Sequence, residues 1–249
     1  MSGVELLLLV AAGLAAGLSG SIAGLASLIS YPALLASGLG PITANVTNTV
    51  ALVLSSVGST LGSRPELQGQ AKRLRSLALV AVLGGAVGAG LLLLTPSATF
   101  ERIAPWLIGI ASLAILLRPR IRPAHERRAH AGPGLIAGVF LIAVYGGYFG
   151  AAAGVMVLAL MLVATGETLA RSNALKNVVL GIANAAAALG FALLGPVDWS
   201  AAAPLAVGLL AGGRLGPVVV RHSNAGLLRV VIGLAGLALA VKLGVDAYG

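Results

Sequence analysis

The sequence predicts an all-α polytopic membrane protein made of two inverted-topology repeats, each a broken re-entrant helix pair followed by three transmembrane helices. Three observations carry that prediction. Of 249 residues, 58% are hydrophobic and 9% charged, whereas a soluble domain carries roughly a quarter of its residues as Asp, Glu, Lys or Arg. Apolar runs recur from Val4 to Val245 at lengths suited to membrane helices, which need about 20 residues each. The runs also divide evenly around one basic connector.

In order, the apolar runs of the first half span residues 4–37, 42–61, 74–94 and 102–117, and those of the second span 133–166, 168–195, 200–219 and 225–246. Arg118, Arg120, Arg122, Arg127 and Arg128 lie between the halves with Pro119, Pro123, His125 and His130, a stretch with no hydrophobic period. The expected organisation is a first membrane repeat at 1–117, a linker at 118–132 and a second repeat at 133–249, integrated into one membrane domain. Residues 1–18 resemble a signal-peptide core but lack a basic start and continue into apolar chain. They read as mature protein.

The first run of each half is too long for one crossing, since 34 helical residues would reach about 51 Å against a hydrocarbon core of about 30 Å. Both runs are interrupted by small residues: Gly17, Ser19, Gly20, Ser21 and Gly24 in the first, Gly146, Gly147, Gly150 and Gly154 in the second. Charge decides between a long crossing and a hairpin, because Lys and Arg concentrate on the cytoplasmic side. If both runs are hairpins, every Lys and Arg except Arg102 and Lys242 falls at one face, with Lys176 left inside the membrane. A single crossing at 133–166 would move Arg171, Arg214, Arg221 and Arg229 to the opposite face. With hairpins, each half keeps an odd number of full spans, so the second inserts upside down. Both termini then face outward and the Arg-rich linker faces the cytoplasm. The stretch Gly84-Gly85-Ala86-Val87-Gly88 matches Gly212-Gly213-Arg214-Leu215-Gly216, as an internal repeat requires.

Composition removes several function classes. There is no cysteine, hence no disulfide, thiol nucleophile or thiolate metal site. The net charge of +9 belongs to membrane-flanking loops, and no basic patch is interleaved with aromatics as nucleic-acid binding would need. No His, Asp or Glu cluster has metal-ligand spacing, and no cofactor is expected. Gly17-Leu18-Ser19-Gly20 matches the short pattern around an intramembrane protease serine, but His125, His130 and His222 fall in loops and no base is placed to activate it. An enzyme is not expected. Asn45-Val46-Thr47 has the form of a glycosylation sequon at the start of a span.

Helix breaks inside a membrane are tolerated only where protein or water satisfies the backbone, so they mark a candidate site. The helix restarting after each break turns a positive dipole end toward that site, which suits an anion. The expected ligand set is Gly20, Ser21 and Gly24 at one tip and Gly150 and Gly154 at the other. Asn45 and Asn48 join from the first half, and Asn173, Lys176 and Asn177 from the second. Lys176 is the countercharge and the amides are donors for oxyanion oxygens. The competing readings are close helix packing for the glycines, snorkelling for Lys176 and helix-to-helix hydrogen bonding for the asparagines. An anion channel and a non-transporting assembly subunit are the rival functions, and oligomeric state is open.

The run Ala174-Leu175-Lys176-Asn177-Val178-Val179 through Asn184 to Phe191 resembles the second-half signature of the sulfite exporter TauE/SafE family. The continuation from Gly195-Pro196-Val197-Asp198-Trp199 to Gly212-Gly213-Arg214-Leu215-Gly216 is similar to family members, as are Gly20 to Gly24, Pro32, Gly38 and Ala44 in the first half. The chain departs from the pattern at Ser21-Ile22-Ala23-Gly24 and Ala152-Ala153-Gly154, where a glycine triplet is expected, and near Ala159, where a proline is expected. The resemblance covers nearly the whole chain and implies a carrier of sulfite, organosulfonates or related sulfur-containing anions.

Overall fold

The computed structural model describes residues 2–116, 132–220 and 226–248. Nearly all of the Arg-rich linker, together with Arg221 and His222, lies outside them. The described chain forms eleven helices and no strand: α1 (Gly3–Ala23), α2 (Ser27–Ala36), α3 (Pro41–Gly62), α4 (Arg64–Leu67), α5 (Ala71–Leu93), α6 (Ser97–Leu116), α7 (Pro133–Tyr148), α8 (Ala153–Thr165), α9 (Leu169–Leu194), α10 (Trp199–Val220) and α11 (Gly226–Tyr248). Among the described residues, α1, α5, α9 and α10 are each long and apolar enough to cross a membrane. Helix α3 carries Asn45, Thr47, Asn48, Thr49, Ser55 and Ser59, all buried, so its polarity faces protein. Large apolar side chains such as Leu7, Leu79, Leu94, Leu141 and Leu193 are exposed instead, the distribution expected when lipid is the outer solvent.

The first run of each half divides as expected, α1 with α2 and α7 with α8. The location of the first break differs from the sequence expectation. Gly17, Ser19, Gly20 and Ser21 stay helical, and only Gly24, with φ of 78°, leaves the helix. Gly17 has a packing role: a Cβ there would lie 2.6 Å from the Leu209 carbonyl oxygen of α10. In the second half, Gly146 and Gly147 stay helical, whereas Gly150 (φ 77°) and Ala152 (φ 58°) form the turn. Ala152 is the one described non-glycine residue with positive φ, a conformation that costs about 1–2 kcal/mol in a residue carrying a Cβ.

Glycines at the crossings fix helix direction. Gly13 and Gly17 of α1 meet Leu205 and Leu209 of α10, and Gly58 and Gly62 of α3 meet Leu210 and Arg214 of the same helix, so α1, α3 and α10 run one way. Gly84 and Gly88 of α5 meet Phe140 and Val144 of α7, and Gly85 meets Ala183 of α9. Helices α5 and α9 start at one junction, where Gln70 and Arg73 hydrogen-bond Glu167, and α3 ends beside it through α4. Helices α5, α7 and α9 therefore run opposite to α1, α3 and α10.

The packing partners exchange with the halves. Helix α1 packs on α10 as α7 packs on α5, α3 packs on α10 as α9 packs on α5, and α3 with α9 and α6 with α11 pair across the centre. The glycine repeat obeys the same exchange: Gly84 and Gly212 each face the first helix of the other half, and Gly85 and Gly213 each face its long polar span, at Ala183 and Ser55. Close small-residue crossings of this kind give dispersion contact where lipid offers no hydrophobic drive.

Candidate functional site

The two breaks meet. A Cβ on Gly24 would lie 2.5 Å from the Gly154 Cα and 2.6 Å from the Val155 nitrogen, and one on Gly154 would lie 2.9 Å from the Gly24 carbonyl oxygen. Only glycine admits this backbone-to-backbone contact, and at Gly24 the left-handed φ adds a second reason.

A broken helix leaves carbonyls at its C-terminal end, and here side chains from the other half take them. Asn173 of α9 donates its side-chain amide to the Ser21 carbonyl of α1 (2.7 Å). Asn45 of α3 donates to the Tyr148 carbonyl at the end of α7 (2.8 Å). Asn45 and Asn173 each stand fifth in their helices, so the clamp is made twice, once per half. Lys176, only 1% exposed, adds a third bond set to the first break, with Nζ 2.8 Å from the Gly20 carbonyl oxygen and 3.3 Å from that of Ser21. The ammonium does not snorkel. It sits at the negative end of α1, where a cation is favoured. The counterpart of Lys176 in α3 is Asn48, whose side chain instead accepts from Ser30 Oγ (2.5 Å) and donates to Ser27 Oγ (3.2 Å), tying α3 to α2.

Beside the tips lies a polar cleft of about 580 Å³, open mouth included. Gly20, Ser21, Gly24, Gly150, Gly154, Lys176 and Asn177 line it. Asn45, Asn48 and Asn173 do not; they hold the neighbouring backbone and hydroxyl groups as just described. Asn184, on the same helical stripe as Asn177, also lines the cleft, and sequence reasoning missed Ser27, Thr49, Ser55, Ser56 and Ser59. The available signal was the helical spacing of Thr49, Ser56 and Ser59 along an apolar span, a polar stripe that needs a buried destination. The starts of α2 (Ala26, Ser27) and α8 (Ala153, Gly154) both reach the cleft. Among the described residues no Asp or Glu lines it. Among the described residues, Asn177 Nδ2 is buried with no hydrogen-bond partner at a residue 6% exposed, and Ser21 Oγ is also unpartnered but packs against Gly216 of α10. A stranded polar atom costs about 1–3 kcal/mol, a cost that a partner reaching Asn177 Nδ2 would relieve. The Ser19 hydroxyl, by contrast, donates to the Ala16 carbonyl within its own helix (3.0 Å).

The cleft extends along α3 as far as Ser59, near the helix end at Gly62, and so runs toward the end of the bundle that carries Arg64, Arg73 and Arg171. There the halves are joined by Glu167, bonded by Gln70 Nε2 (2.9 Å), Arg73 (3.1 Å) and Arg171 (3.4 Å). Partial desolvation raises the Glu167 pKa, but the Gln70 and Arg73 hydrogen bonds and the nearby guanidinium charges outweigh it and leave it below the ordinary carboxylate value.

Fold and site together define a multi-pass membrane protein of the transporter class, with broken helices meeting at a polar internal cleft. The chain belongs to the sulfite exporter TauE/SafE family, whose model matches residues 9–243. It is 30% identical over 237 residues to the probable membrane transporter protein YfcA of Escherichia coli K12, covering 94% of this chain and 87% of the relative. A probable membrane transporter protein of Haemophilus influenzae is 28% identical over 251 residues, covering 98% and 96%. No solved structure matches the chain.

Proposed function

We propose that the protein is a secondary carrier of small sulfur-containing oxyanions, sulfite and organosulfonates above all, working by alternating access between two repeats inverted in the bilayer. The observation that carries this reading is the pairing of the cleft's lining residues. Gly20 with Gly146 and Gly24 with Gly150 share one sequence separation, and Thr49 with Asn177, Leu52 with Leu180 and Ser56 with Asn184 share another, two residues longer. A site made of such pairs lies on the axis that relates the halves, so exchanging their conformations exposes the same residues to the opposite face. Inverted repeats with broken helices use this plan.

The chemistry favours an anion. The N-terminal ends of α2 and α8 supply positive dipole ends, Asn177 Nδ2 is a buried donor with no hydrogen-bond partner among the described residues, and Lys176 supplies charge with no carboxylate among the described lining residues. Orientation follows from the basic residues: the Arg-rich linker and the Glu167 junction face the cytoplasm, both termini face outward, and residues 1–117 and 133–249 are the two repeats. An inside-negative potential drives each exported negative charge outward by about 2.3 kcal/mol per 100 mV, so export needs no coupling ion. The backbone-on-backbone contact at Gly24 and Gly154 ties the two breaks together, which favours a carrier over an open channel.

Thermal unfolding of detergent-purified protein against sulfite, sulfate, thiosulfate, methanesulfonate and acetate tests the substrate class. A sulfur oxyanion should raise the midpoint, and Asn177→Ala should abolish the shift. Equal silence toward every anion would refute the reading.

A further inference from the structure

A second pocket stands at the other end of the bundle. It holds about 680 Å³, open mouth included, and is lined by Tyr31 of α2, Pro41 at the start of α3, Glu101 and Ala104 of α6, and Leu243, Asp246 and Ala247 of α11. Pro41 opens the same helix whose far end, at Ser59, borders the polar cleft. The two cavities thus lie on opposite sides of the closed tips.

What separates them is aromatic. Phe149 lines the cleft, Tyr31 lines the outer pocket, and their rings meet edge to face with centroids 5.4 Å apart. Phe100 completes the cluster, 5.8 Å from Phe149 and 6.0 Å from Tyr148. Phe149, Tyr31 and Phe100 are 3%, 2% and 0% exposed. By the separation that relates Gly24 to Gly150, the counterparts of Phe149 and Tyr31 are Ala23 and Val157. The basic end therefore has no equivalent plug, which is why the cleft stands open there and shut on the other side.

We propose that Tyr31 and Phe149 form the gate between the polar cleft and this outer pocket, and that the pocket is the far end of the path the anion takes. The proposal rests on the carrier reading for what crosses the gate, but the gate itself is a matter of geometry. Tyr31 rides on the returning arm of the first break and Phe149 on the turn of the second, so any movement of one half against the other acts on their contact. The Tyr31 hydroxyl has no hydrogen-bond partner among the described residues. Phenylalanine would seal as well without a stranded phenol, so the hydroxyl is a positioning group that meets the oxyanion as the rings part. Glu101 and Asp246 at the pocket repel an anion that has left, which opposes its return.

The chain has no cysteine, so single-cysteine variants report accessibility without background. Ser55→Cys places a thiol in the cleft and Ala247→Cys one in the outer pocket. Each is to be treated with a charged, membrane-impermeant methanethiosulfonate in right-side-out and inside-out vesicles. A minor conformation is populated at roughly 0.1–10%, so Ser55→Cys should label at least about tenfold faster from the cytoplasmic face. Ala247→Cys should label faster from the opposite face by a similar factor. Adding Phe149→Ala to Ser55→Cys should erase most of that preference; if this variant does not accumulate, Phe149→Leu, which removes the ring but keeps apolar bulk, carries the same expectation. Tyr31→Phe should keep the side preference and slow sulfite efflux severalfold. Labelling of both thiols from one face, or an unchanged preference without the Phe149 ring, would overturn the gate. Because labelling involves no substrate, opposite-face labelling in a protein that answers to no oxyanion would sink the substrate reading alone.

Discussion

The contact between the two break tips can be taken apart by three alanine substitutions. At Gly38, φ is 89° and nothing lies within 4 Å of where a methyl would stand, so Gly38→Ala carries only the left-handed backbone term, about 1–2 kcal/mol. At Gly154 the positive φ is absent, but the methyl would lie 2.9 Å from the Gly24 carbonyl oxygen and 3.0 Å from its carbon. That is backbone against backbone, with no flexible side chain to yield, and overpacking of this kind costs about 1–3 kcal/mol. Gly24→Ala meets both terms, φ of 78° and a methyl 2.5 Å from the Gly154 Cα, for a total of about 2–5 kcal/mol. Denaturant or thermal unfolding in one detergent should rank them Gly38→Ala as the mildest and Gly24→Ala as the most severe. The Gly24 and Gly154 variants combined should fall short of additivity, since both force apart the same contact. A Gly24→Ala variant no less stable than Gly38→Ala would refute the meeting of the tips.

Other outcomes follow from the clamps and the junction. Asn45→Ala strands the Tyr148 carbonyl at a helix break and should cost about 1–3 kcal/mol, whereas Asn173→Ala leaves the Ser21 carbonyl to Lys176 Nζ and should lower the unfolding midpoint less. Lys176→Met removes both bonds to the α1 carbonyls and the cleft's charge, and should abolish anion-dependent stabilisation. Lys176→Arg, measured alongside it, should restore part of the stability through its retained charge. Glu167 has a folded pKa below its unfolded value, so its stabilising contribution is complete above the ordinary carboxylate pKa and is lost as pH falls through the depressed one. Glu167→Gln should flatten the acid limb of the unfolding midpoint against pH, whereas an identical acid limb in both proteins would show the junction to be energetically idle.

Much of the fold was legible because lipid imposes a simple grammar. The two over-long runs and most helix positions follow from apolar length and glycine placement, and α3, α9 and α10 begin within a residue of the apolar runs that predict them. Glycine identity alone did not separate packing from breaking. Gly17 and Gly147 look like Gly24 and Gly150 in sequence, and only the backbone φ and the neighbour each one meets assign its role. The same limit applies to the site. Asn45, Asn48, Asn173 and Lys176 were legible as buried polar groups that need partners, but the partner could be ligand or backbone. For three of these residues the bonds go to backbone carbonyls, and Asn48 turns to two serines. The cleft's serines and Thr49 read as span polarity until α3 and α9 are brought together. The aromatic plug was not legible at all, since Tyr31, Phe100 and Phe149 come from three separate elements.

The central claim is that this chain carries a sulfur oxyanion through the paired cleft. Efflux of sulfite from loaded proteoliposomes, with an inside-negative potential set by a potassium gradient and valinomycin, tests it most directly. The account predicts efflux that saturates with internal sulfite, accelerates as the potential is made more negative and collapses in Asn177→Ala. Efflux no faster than from protein-free liposomes, for sulfite and methanesulfonate alike, would contradict it.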